Sequence, residues 1–159
     1  MHFFGEQADN LEKTVLDVLA GVIETGFAAP EMAARFKRVG GIPVTRNPEI
    51  GLQWFKSDQR PFIFIQLDGD DLNAWQKVIA GELKDGTRHE LTFGIEAICP
   101  KATADFERPL KDCLRRVLER AYVALRTAGL EGSKVRVLKP EEHPDRRNPT
   151  QITATAYTM

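Results

Sequence analysis

Apolar and polar positions divide the chain into segments of different period. From Leu11, "LEKTVLDVLAGVI" places Leu11, Val15, Val18, Leu19, Val22 and Ile23 at spacings of three and four. That spacing puts one apolar stripe along a helix. Asp9 or Asn10 can accept a backbone N–H as its N-cap, and Gly26 suits a left-handed end. "AAPEMAARFKRVGG" predicts a short second helix, with Pro30 in its first turn and Gly40-Gly41 after its end. Residues 42–60 carry two prolines and predict irregular chain with a short strand around Leu52–Phe55.

The pattern then changes to that of strands. "PFIFIQLD" is the most apolar run, with Phe62, Ile63, Phe64 and Ile65 contiguous, as in a strand covered on both faces. "DGDD" reads as the turn that ends it. Period-two alternation follows on both sides of Asp85-Gly86, a pair that tolerates the positive φ of a tight hairpin turn. The expectation is two antiparallel strands, about 75–84 and 87–99, the second stopped by Pro100. Helical spacing returns in Leu110, Cys113, Leu114, Val117, Leu118, Ala121 and Leu125, with Pro109 in the first turn and Gly129 at the end. "KVRVL" (134–138) predicts a strand, "KPEEHPDRRNP" a polar loop, and "QITATAYTM" a closing strand in which Ile152, Ala154 and Ala156 alternate with Thr153, Thr155 and Tyr157. The order favours a single α+β domain over 1–159. Its expected form is a mainly antiparallel or mixed β-sheet with two long helices packed on one face.

Composition narrows the classes without choosing among them. The 159 residues are 42% hydrophobic and 28% charged, with a net charge of −1. These values fit one globular core and give no overall field to gather nucleic acid or anionic lipid. No apolar run is long enough to span a bilayer, so no membrane partner is expected. "MHFFGEQADN" lacks the basic region and apolar stretch of a secretory signal. Cys99 and Cys113 belong to no CxxC, and the expectation is two reduced thiols.

Candidate chemistry is sparse. Asp68, Asp70 and Asp71 cluster, but without the spacing of a calcium loop. Glu82 and Lys84, two apart on a predicted strand, combine with Asp70 or Asp71 into a D…ExK pattern. In a metal-dependent nuclease such carboxylates hold Mg²⁺ and the lysine orients water. The bland reading is a solvated turn and a charged hairpin tip. The histidines form no zinc pattern, and there is neither a G-x-S-x-G nor a phosphate loop, so no metal, cofactor or catalytic set is assigned. Arg146 and Arg147 sit among Glu141, Glu142 and Asp145, which nearly cancel their charge, so direct nucleic-acid binding is not expected. Trp54, Phe55 and Trp75 fall near predicted strand ends, where large rigid rings serve either core or interface.

Taken together, "LEKTVLDVLAGVI", "PFIFIQLDGDD", "HELTFGIEAICP", "FERPLKDCLRRVLERAYVAL" and the closing "TQITATAYTM" resemble the tail terminator (minor tail, tail-completion) proteins of long-tailed bacteriophages. The likeness is one of element order over residues 11–159, including a final alternating strand with a Tyr and a terminal Met. The segment around 29–50 and the loop "KPEEHPDRRNP" depart from it. The resemblance implies a structural virion protein, not an enzyme, without cofactor. It implies a hexameric ring of itself on the tail tube, which stops polymerisation and presents a surface to the head. The implied partners are the tail tube protein and a head-completion protein; the implied place is the virion tail, reached from the host cytoplasm or a prophage. Candidate interface residues are Trp54, Phe55, Trp75, Arg146, Arg147 and Tyr157. The alternatives are the nuclease, on Asp70, Glu82 and Lys84, and a small non-enzymatic binding or scaffold protein.

Overall fold

The computed structural model describes residues 11–128, 131–137 and 150–158. The side chains of the last two stretches, and those of Trp75, Ile79 and Tyr122, are outside the description. Helix α1 (Leu11–Ala28) is followed by α2 (Pro30–Arg35), a 3-10 turn (Lys37–Val39) and the two-residue strand β1 (Val44–Thr45). A short helix α3 (Pro48–Gln53) passes into a π turn (Trp54–Asp58), and then come the long strands β2 (Phe62–Ile79) and β3 (Glu82–Ile98). A 3-10 segment (Lys101–Phe106) leads into α4 (Glu107–Glu119) and α5 (Ala121–Thr127), and the strands β4 (Glu131–Val137) and β5 (Thr150–Thr158) follow.

The fold is α+β. One five-stranded sheet has the order β1-β2-β3-β5-β4. Among the described residues β1–β2 is the one parallel pairing and the others are antiparallel. Strand β5 lies between β3 and β4, with Ile152 opposite both Phe93 and Val135. The expected pairing of the final strand is therefore present, and it sits in the interior of the sheet. One sheet face carries Ile63, Ile65, Leu91, Phe93, Ile95 and Ala97, all buried against the stripes of α1 and α4. The other face, at Phe62, is covered by α3 and the π turn. This accounts for a contiguous apolar run in β2: Ile63 and Ile65 meet the helices, while Phe62 meets the opposite cover.

Several expectations are corrected. Gly26 does not end α1, which continues to Ala28. A Cβ there would stand 2.6 Å from both Val117 methyls, so glycine lets α1 and α4 approach closely. Leu52–Phe55 is helical rather than a strand. Asn47 Oδ1 accepts the Glu49 N–H at 2.9 Å, which caps α3, and Pro48 fits its first position. "DGDD" is not a turn. β2 runs through it, and a bulge between Leu67 and Gly69 absorbs the extra residue. Nor is Asp85-Gly86 the hairpin turn. Ile79 pairs with Glu82 around Ala80 and Gly81, whose φ values are 53° and 81°. That is the two-residue turn whose twist matches its strands, although alanine is an unusual occupant. The second long helix is divided at Arg120, with Pro109 in the first turn as expected.

Aromatic packing joins the connections to the helices. Phe36 lies edge-on to Phe27 and against Phe106, each at 5.8 Å between centroids. Arg38 rides 4.5 Å over the Phe106 ring and pairs with Asp105. Arg35 donates to Cys113 Sγ at 3.4 Å. Both cysteines are free thiols.

Candidate interaction surfaces

The β2–β3 hairpin extends well past the helical layer. Its base, Phe62–Leu67 with Phe93–Ile98, lies in the core; from Asp68 to Asp85 its described side chains are exposed. Beyond Thr87, where the pairing with β5 ends at Thr158, only β2 and β3 continue among the described residues. At roughly 3.4 Å per residue, the length from Asp70 to Ile79 spans about 30 Å. On the face continuous with the core, Leu72, Val78 and Leu83 are 62%, 64% and 62% exposed, with Val78 directly opposite Leu83. At the foot of this arm His89 Nδ1 lies 3.2 Å from both carboxylate oxygens of Asp70, a diagonal neighbour on the same face. The opposite face carries Asp71 opposite Glu90 and Lys77 opposite Lys84. Arg88 reaches Glu90 and Lys84 reaches Glu82, each at 2.9 Å.

A second surface lies under α3. Pro48, Leu52, Phe55, Phe62, Phe64 and Ile98 line an apolar groove of about 360 Å³. Leu52 and Phe55 on its rim are 53% and 42% exposed. Trp54 is half-buried beside it, edge-on to Phe62 at 5.5 Å, with the Arg60 guanidinium 5.8 Å from its ring centre. A third, shallow depression of about 780 Å³ runs between α1 and α4, lined by Val18, Gly21, Val22, Gly26, Val117 and Arg120. Asp17 sits at its edge. Hydrogen bonds from Lys13 and Arg46 hold the Asp17 carboxyl below its ordinary value.

The sequence-derived residues fall into separate places. Phe55 and Trp54 belong to the groove, and Trp54 is largely a packing residue. Trp75 occupies the arm, opposite Gly86, and Tyr157 occupies β5, opposite Arg88. Arg146 and Arg147 lie outside the described residues. Asp70, Glu82 and Lys84 are not brought together. Asp70 is opposite Leu91 at the foot of the arm, whereas Glu82 is at its tip, about nine residues or roughly 30 Å away along β3. Alternation also places Asp70 on one face and Glu82 and Lys84 on the other. One chain therefore cannot hold a metal ion between them. Among the described residues, no three His, Cys, Asp or Glu side chains are grouped as metal ligands. No described helix is long and apolar enough to cross a membrane.

Sequence reasoning missed the exposed Leu72, Val78 and Leu83. The expected strand over 75–84 puts Val78 and Leu83 on opposite faces and leaves Leu72 outside it; the turn at Ala80-Gly81 instead sets Val78 opposite Leu83, beyond the helices. No protein-family model matches the chain, and a search of curated proteins finds no match either.

Proposed function

We propose that this protein is a tail terminator of a long-tailed phage or prophage: a structural protein that caps the tail tube, stops its polymerisation and helps join tail to head. The observation that carries the reading is the place of β5 in the sheet. The order helix, long hairpin, helix, alternating strand resembles that family, and here β5 pairs with both β3 and β4 to complete one sheet under two long helices. The exposed arm and the groove at Phe55 and Leu52 supply two different surfaces on one chain. A ring needs such unlike patches, because head-to-tail contacts close only when one surface of each copy meets another of the next. On this reading the partners are further copies of the chain in a hexamer, the tail tube protein and a head-completion protein. The working place is the virion tail.

The test is assembly. Purified protein added to polymerising tail tubes should arrest them at the added end, and imaging should show a ring there. Phage lacking the gene should release overlong or headless tails. Tubes that elongate unchanged with the protein present, together with normal tails in its absence, would remove the proposal.

A further inference from the structure

We infer that a second copy of this chain adds its own β2 to the open edge of β2, making an antiparallel, two-fold symmetric junction centred on Ala74. Strand β1 covers the outer edge of β2 only at Ile63 and Phe64. Among the described residues, the edge from Gln66 to Ile79 has no strand beside it. An edge this long is a template for another strand. The charges that commonly guard such edges here run in sign-complementary order, with Asp70 and Asp71 at the foot and Lys77 near the tip.

Backbone parity restricts the register. Ile79 and Glu82 close a two-residue turn, so they exchange both backbone hydrogen bonds. No bulge intervenes from Asp70 to Ile79, so the odd-numbered residues direct their N–H and C=O toward β3. The even-numbered residues, Asp70, Leu72, Ala74, Gln76 and Val78, direct theirs to the open edge. A two-fold junction must pair outward groups with outward groups, which requires one residue to face its own counterpart. With Ala74 opposite Ala74, Asp71 of each copy stands across from Lys77 of the other, in the close non-hydrogen-bonded position and on the same face. Centring on Asn73 instead sets Asp71 against Trp75, and centring on Leu72 sets Asp71 against Asn73; neither matches opposite charges. The Ala74 register allows roughly ten backbone hydrogen bonds across the junction. It also places the two bodies at opposite ends of a four-stranded ribbon.

This junction is independent of the ring. It is isologous, whereas a ring uses unlike patches. Light scattering on the full chain at low salt should give a dimer or a paired ring. Lys77→Asp and Asp71→Lys should each weaken it about tenfold or more, and the double exchange should restore it. A chain carrying D71C, mixed with one carrying K77C and oxidised, should form a disulfide-linked pair. Neither variant alone, nor the unaltered chain with Cys99 and Cys113, should do so. The chain with both substitutions should close into a covalent dimer. A covalent ladder from that double variant, no restoration by the double exchange, or a chain that stays monomeric would overturn the inference. A ring that caps tubes without the disulfide would overturn this junction and leave the proposed function standing. A crosslinked dimer that never arrests a tube would do the reverse.

Discussion

The two ends of one hairpin live under different physics. At its base, Phe62, Ile63, Ile65, Phe93 and Ile95 are almost wholly removed from water, and helices or the π turn cover both faces. Some ten residues further along the same two strands, Val78 and Leu83 face each other with most of their surface in solvent. Ladder hydrogen bonds run through both regions. Side-chain burial separates them, and it makes the base a source of stability and the arm a surface for contact. A sheet needs three strands, or a helix against it, to stand alone in water. The arm borrows its order from the base.

This contrast can be broken first where the effect is largest. Phe93→Ala should cost about 3–5 kcal/mol in urea unfolding, whereas Leu83→Ala should stay within about 0.5 kcal/mol. Equal losses would mean that the arm is covered in the monomer. Gly26→Ala tests the close approach that holds the helices over the base. Its added methyl meets Val117, so a loss of about 1–3 kcal/mol is expected, relieved when Val117→Ala is combined with it. At the tip, Ala80→Gly should stabilise by about 1 kcal/mol, because the left-handed conformation at φ 53° penalises a Cβ. A destabilised Ala80→Gly chain would argue against that turn.

A pH-dependent test concerns Cys99, just past the base. Burial first, and then the Glu107 and Asp105 carboxylates, push its thiol up to about 11. A raised acid contributes stability that is fully present below its unfolded value near 9.0 and is lost as pH rises through about 11. Stability should thus be flat from pH 7 to 8 with respect to this group and decline above pH 9. The thiolate absorbance that Cys99→Ala removes should still be small at pH 10; full ionisation of Cys99 by pH 9 would contradict the burial.

The sequence was legible where burial and period agree. α1 and the α4–α5 stripe were predicted because their apolar residues repeat every three or four positions against one core. β5 was predicted because its alternation is uninterrupted. The hairpin turn was not. "DG" at 85–86 is the stronger local signal, but moving the turn there would break the pairing that buries Ile63 beside Ala97 and Ile65 beside Ile95. The core decides the register, and Ala80 accepts the strain. The same long-range choice dispersed the nuclease pattern: Asp70 and Glu82 are twelve positions apart in sequence, yet opposite ends and faces of the arm separate them. Phe55 was found as a candidate because a ring near a strand end attracts notice. Its real setting, the rim of a groove built by a capped helix and a π turn, depended on Asn47.

The short closure at Ala80-Gly81 also sets how the molecule opens. Fraying should start there and travel down the ribbon, costing little until it reaches the pairs held by Leu91 and Phe93. A protease that cuts after Lys84 would then sever the backbone without releasing either piece. The nicked halves would migrate together under native conditions, held by the buried roots of the same two strands.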